Sequence, residues 1–395
     1  MSFGHFFLLL NLENAKVMKR KRNSRYIVLF MITVMPLVGV AQKITLGSCT
    51  VKDGTVTGTY QGEMSAGKPH GKGRTVYQNG NTYEGSYVKG KREGKGVYTF
   101  TDGERYEGDW FQGHQHGFGT YYFENDNKYV GYWYRDYQQD EGTMFYYNGD
   151  KYEGNWYQDK RSGKGRYTFA SGAYYEGEWK NDVKHGKGFY DWGNGTTYDG
   201  MWLNNERSGK GIFKYADGDV YDGYWKHDLQ HGKGVYRFQN GDVYEGDYVN
   251  GERTGEGIFK MANGARYTGH FENGERSGMG VFIWENGDSY TGAWHNDQQN
   301  GKGKLVKKNG DVIEGMFKNG QMDGEITIHY QNGDRFRGIY RNGKRNGHAK
   351  EATKDGKFFE GTYVNDERDG KFVEKDRNGQ ITAQGEYRKG RRITQ

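Results

Sequence analysis

The chain has 395 residues, with 66 Gly but only 2 Pro, 16% aromatic residues, 57 Lys and Arg against 51 Asp and Glu, and a single Cys. One cysteine excludes an intrachain disulfide. A mean hydropathy of −1.08 would fit a disordered chain, but the aromatic residues recur at a fixed spacing, and that excludes disorder.

Residues 1–17 carry a small apolar cluster, Phe6–Leu10, to which no role is assigned. From Met18 the pattern is basic (Lys19, Arg20, Lys21, Arg22, Arg25), then uncharged from Tyr26 to Val40, then Ala41-Gln42. A basic segment, a short apolar segment and a small residue read as a secretory signal-type helix, with translation starting at Met18 and cleavage near Ala41. The apolar run falls short of the roughly 20 residues that span a bilayer, so an uncleaved membrane anchor is the weaker alternative. Without residues 1–41, which hold Lys16, the five basic residues above and Glu13, 51 basic and 50 acidic residues remain. The net charge of +6 thus belongs mostly to the leader, and a nucleic-acid reading loses its support.

Residues 42–59 are short, β-prone and rich in Gly and Thr, and are expected to form an N-terminal cap. Leu46-Gly47-Ser48-Cys49 has the form of a lipobox, but Gln42, Lys43 and Thr45 separate it from the apolar run. A free or buried thiol is the better reading of Cys49.

From Tyr60 the chain repeats every 23 residues without insertion or deletion. The fourteen copies start at Tyr60, Tyr83, Tyr106, Tyr129, Tyr152, Tyr175, Tyr198, Tyr221, Tyr244, Tyr267, Tyr290, Ile313, Phe336 and Phe359. With each start numbered zero, position 2 is Gly in every copy and position 4 is aromatic in all but one, Met64. Aromatic, Gly and aromatic at period two make a strand with one aromatic face. Positions 11 and 13 are usually Gly, and positions 15 and 17 large and apolar, as in Tyr98 and Phe100. A short polar loop such as Asn181–His185 separates the two strands. Asp-Gly or Asn-Gly at positions 19 and 20, as in Asp102-Gly103 and Asn240-Gly241, closes the repeat with a turn. Each repeat is therefore a β-hairpin, and the rings are expected to lie over bare glycine backbone. The candidate seam is Tyr106, Trp110, Trp133, Trp156, Tyr175, Trp179, Tyr198, Trp202, Tyr221, Trp225 and Trp294, with Gly108, Gly154, Gly177, Gly200 and Gly223 beneath it.

The YEGxW opening and the HGKG-type middle, seen in Tyr83–Gly96, Tyr152–Gly165, Tyr175–Gly188, Tyr198–Gly211 and Tyr221–Gly234, resemble the MORN (membrane occupation and recognition nexus) family. The resemblance covers residues 60–381. It implies an all-β fold, an elongated single-layer antiparallel sheet of about 28 strands that twists along its length. It implies partner binding, with membranes, lipid headgroups or protein scaffolds as the usual associations, and no reaction. The expected organisation is an extension and signal over 1–41, a cap over 42–59, a regular array over 60–312, degenerate copies over 313–381, and a partial repeat with a basic tail over 382–395. Repeat Tyr129–Lys151 departs from the pattern, with Asp140 in place of Gly at position 11. In the last copies position 13 becomes Ile326, Ala349 and Phe372. Those copies read as a terminal cap or a docking surface.

Catalytic and metal constellations are not apparent. His70, His116, His185 and His231 share position 10 and read as loop residues of the unit, and the Gly-Lys-Gly triplets do not continue as phosphate loops. Acids at position 1 and lysines at position 12 recur by period and read as surface pairs. No enzyme activity, cofactor or metal is expected. The function read from the sequence is an exported, non-enzymatic binding scaffold of the periplasm or cell envelope, offering its aromatic, Gly-lined groove to a protein or peptide. The alternative is a peripheral lipid-headgroup module, which the near-neutral array favours less; glycan binding has no specific motif. Open edges permit end-to-end self-association.

Overall fold

The computed structural model describes residues 43–393; the signal-type helix expected before them lies outside the described residues. Turn chemistry sets the unit. In the repeat at Tyr175 the strands Tyr174–Lys180 and Val183–Asp191 are joined by Asn181 and Asp182 alone, both in the left-handed region (φ 49° and 69°). Two positive φ values in a two-residue turn match the twist of the flanking strands, and Asn and Asp tolerate them. The loop expected over Asn181–His185 is thus shorter, and the strand resumes at Val183. His70, His116, His185 and His231 consequently lie in strands, not loops. Between repeats, Gly103 N–H donates to Phe100 O (3.2 Å) and Phe100 N–H to Glu104 O (2.9 Å), with Gly103 at φ 96°. This three-residue connection puts a left-handed Gly where Asp102-Gly103 signalled a turn.

The second strand carries a bulge that alternation alone does not reveal. Gly85 pairs with Gly96 and Tyr87 with Arg92, so Glu93, Gly94 and Lys95 together oppose Ser86. Gly94 takes φ 67° at that bulge. The glycines at positions 11 and 13 therefore do different work: the first turns the backbone and the second lies under a ring. Asp140 takes the bulge at φ 56°, and its repeat still forms the hairpin Lys128–Tyr134 and Tyr137–Phe145.

Each strand pairs antiparallel with its sequence neighbours, giving one open sheet of 31 strands. Fourteen hairpins supply 28 of these. Thr45–Asp53 precedes them, and Ile381–Arg388 and Arg391–Ile393 follow. The core is the aromatic face itself. Every position-0 tyrosine from Tyr60 to Tyr290 is 0–1% exposed. Tyr106 stands edge-on to Trp110 of its own repeat (5.3 Å, 87°) and to Trp133 of the next (5.3 Å, 80°). The same geometry links Tyr198 to Trp202 and Trp225. Edge-to-face contact suits the ring quadrupoles. Each phenol donates back to the carbonyl at position 3: Tyr198 to Met201 O (3.0 Å), Tyr221 to Tyr224 O (3.0 Å).

Candidate binding face

The seam identified in the sequence is brought together and covered by its own chain. Its tyrosines are fully buried and its tryptophans only 4–7% exposed. The glycines beneath explain why. A Cβ on Gly200 would stand 2.5 Å from Gly211 Cα and 2.5 Å from Tyr198 Oη, and the same contacts recur at Gly177. All but one of the seam's indole N–H groups are also used internally, as where Trp110 donates to Gly96 O (3.2 Å), Trp179 to Gly165 O (3.1 Å) and Trp202 to Gly188 O (3.2 Å); the buried Trp133 N–H has no partner among the described residues.

Above the seam lies a second, more exposed layer. It consists of the half-buried rings at positions 15 and 17, such as Phe100, Tyr121, Phe123, Tyr146 and Tyr167, packed against the core, and of position 9, which the sequence pattern alone does not single out. Arg161 at position 9 sits over the ring of Trp179 in the next repeat (4.4 Å). Its Nε donates to Asp182 Oδ1 (3.1 Å) and its Nη2 to Asp182 O (3.0 Å). Arg207 does the same over Trp225 with Asp228, and Arg276 over Trp294 with Asp297. Arg345 repeats the arrangement over Tyr363 with Asp366. A guanidinium that stacks on an indole and forks to a carboxylate and a carbonyl uses both of its recognition modes at once. Lys184 lies over Trp202 (4.0 Å), only its backbone N–H donates to the turn residue Asn205 (2.8 Å), and burial pulls its ammonium down to about 8. The signal was present in the sequence, but its partners lie 18 and 21 residues ahead, across a repeat boundary.

Position 9 is not basic at Pro69, Gln230, Gln299 and Met322, but there the following turn carries Gly90, Gly251, Gly320 or Gly343 in place of Asp. At two adjacent repeats position 9 is Gln115 and Gln138, although Trp133 with Asp136 and Trp156 with Asp159 come after them. A cavity of about 720 Å³ opens here, lined by both glutamines, Trp133, Trp156, Asp136, Asp159 and the flanking Arg92 and Arg161. Arg92 closes one end, over Trp110 (4.3 Å) and paired with Asp53 (2.7 Å). Asp53 lies on the first strand and Arg92 on the fifth, so the sheet is curled at this end. Burial raises the Asp159 carboxyl, eased by the Gln138 backbone N–H (2.7 Å). At Asp297 burial pushes the same way, but the backbone N–H and guanidinium of Arg276 override it and leave the carboxyl below its ordinary range.

On the opposite face, charges pair across strands: Lys95 with Asp109 (2.8 Å), Lys233 with Asp247 (2.8 Å) and Lys304 with Glu314 (2.9 Å). The position-12 lysines reach acids at position 3, whereas acids at position 1 meet bases at position 14. Cys49 is a free thiol, half-buried, and burial raises it.

The MORN repeat profile matches thirteen units between residues 60 and 380, passing over only 129–151 and Ile313. The chain belongs to the MORN repeat family. As such it is a repeat-based binding scaffold. The copy the profile passes over is the one in which Asp140 holds the bulge. No curated protein matches the chain. Among solved structures it is similar to the TCP domain of Drosophila melanogaster SAS-4 (dCPAP), solved with a proline-rich motif of Ana2: 15% identity, 38% of this chain and 81% of that one, TM-score 0.27. The TCP10 domain of Danio rerio CPAP gives 14% identity over 49% of this chain and 96% of that one, TM-score 0.27.

Proposed function

We propose that this MORN array is an exported, non-enzymatic scaffold of the cell envelope that presents its aromatic face to a protein or peptide partner. The observation that carries the reading is the cavity between Arg92 and Arg161, where half-buried rings and carboxylates converge on one face of the sheet. Large rings beside a few placed charges form the chemistry of a polypeptide-binding surface. Export rests on the basic-then-apolar segment before Ala41. The even balance of charge after that point supports a polypeptide over anionic headgroups. The test is retention from envelope extracts by the C-terminally tagged chain expressed in its own host, with N-terminal sequencing of the recovered protein. A saturable polypeptide partner and a start near residue 42 are expected. Recovery from the cytosol with Met1 or Met18 intact would sink the export; retention of anionic vesicles without a polypeptide would turn the reading to lipid.

A further inference from the structure

The cavity on the aromatic face has counterparts within the same molecule. At four other places a carboxylate on the hairpin turn and a ring at position 4 hold a guanidinium between them, supplied by the preceding repeat (Arg161, Arg207, Arg276 and Arg345). At the repeats starting with Tyr129 and Tyr152 the carboxylate and the ring remain, but the side chain supplied by the preceding repeat is a glutamine. Gln115 and Gln138 are 8% and 5% exposed and uncharged, and they are too short to fill the space an arginine occupies. Asp136 accepts from Gln115 N–H (2.8 Å) and meets His114 Nδ1 (2.5 Å) at the rim; Asp159 accepts from Gln138 N–H (2.7 Å). Neither carboxylate has an arginine beside it comparable to Arg276 at Asp297.

We propose that this cavity binds two arginine side chains of a partner polypeptide, one over Trp133 beside Asp136 and one over Trp156 beside Asp159. The inference rests on the binding-scaffold reading and names the chemistry of its partner. Arginine is favoured over lysine by the chain's own usage: Asp182, Asp228, Asp297 and Asp366 each accept from an arginine, whereas the turn that follows Lys184 carries the neutral Asn205, which accepts from the Lys184 backbone N–H (2.8 Å). A planar fork reaches a carboxylate and a carbonyl together, which an ammonium does not. The two places are one repeat apart, two strands or roughly 9.6 Å. Arginines three residues apart in a polyproline II segment lie on one side of it at about 9.3 Å. An Arg-Pro-Pro-Arg segment crossing the strands therefore fits both.

The experiment titrates the full chain, purified from its own host, with an acetylated, amidated Arg-Pro-Pro-Arg peptide, followed by calorimetry. Saturable binding is expected, weaker by at least about tenfold for Lys-Pro-Pro-Lys and for the chain carrying Gln115→Arg and Gln138→Arg. In that double variant the array's own guanidinium groups occupy the cavity, and the melting temperature is expected to rise. No saturable binding to the unmodified chain, equal binding of the lysine peptide, unchanged binding by the double variant, or a lower melting temperature in it would each overturn the assignment. Should the tagged chain still retain a polypeptide from envelope extracts while the arginine peptide fails, the scaffold reading stands and this one falls.

Discussion

In the repeat that begins at Tyr198, one ring covers two glycines, Gly200 and Gly211. In the repeat that begins at Ile313, the position-0 side chain is smaller, and Ile326 at position 13, fully buried, takes up the space. The next copies continue the exchange: Phe336 lies against Ala349, and Phe359 lies nearly parallel to Phe372 (6.1 Å, 18°). The ladder is kept throughout, with Gly338 opposite Ala349 as Gly200 is opposite Gly211. The two regions differ in which residue fills the core, not in how much of it is filled. They also show why position 2 never changes. The atoms nearest a Cβ on Gly211 would be those of the Tyr198 ring (Cζ 2.5 Å, Cε2 2.6 Å), and another residue can replace a ring. A Cβ on Gly200 would meet backbone, and on Gly315 it would press into Glu325 O. Backbone cannot be exchanged.

The largest expected difference between the regions is alkaline. Burial pushes the position-0 phenols up, to about 12 at Tyr267 and Tyr290 and further at Tyr198 and Tyr221, from an unfolded value near 10. A folded pKa above the unfolded one means that stability is intact below pH 10 and is lost as the pH climbs toward the folded value. The loss is at most about 1.4 kcal/mol per tyrosine per pH unit. Hydrogen exchange between pH 10 and 11.5 should show residues 60–312, with a buried tyrosine at every position 0 up to Tyr290, opening before 313–380, where Tyr330, Tyr340 and Tyr363 are the phenols that burial raises; simultaneous opening would refute the comparison.

Gly200→Val should cost about 3 kcal/mol or more, because backbone must move; an unchanged thermal melt would mean the ring and strand do not approach as described. Gly211→Ala should cost about 2 kcal/mol and be rescued in part by Tyr198→Leu, copying the Ile313 arrangement, with a coupling of about 1 kcal/mol in a double-mutant cycle. Additive losses would show that volume exchange is not what separates the two regions. The smallest change is a gain: Asp140→Gly should relieve the left-handed bulge by about 0.5 kcal/mol, read as a rise in urea midpoint, whereas a fall would assign Asp140 a stabilising contact of its own.

Period, strand direction and the ring over glycine were legible because each is written within one 23-residue copy. The turn at Asp102-Gly103 was legible for the same reason. The bulge was not: two glycines at even spacing look alike, and only the pairing of Tyr87 with Arg92 separates Gly94 from Gly96. Burial of the seam was underestimated because a single-layer sheet suggests an exposed face, and the second row of rings that covers it is half polar in sequence. The arginine brackets escaped because Arg161, Trp179 and Asp182 belong to different copies.

The pairing of every strand with the next one along the chain has a kinetic consequence. No strand must wait for a distant partner; each new hairpin docks on one already made, and the loop to be closed never exceeds a few tens of residues. Sheets usually fold slowly because they join remote segments. This one can nucleate at any copy and grow outward. A chain delivered from its N-terminus, whether from a ribosome or a narrow pore, can therefore fold at the pace at which it emerges.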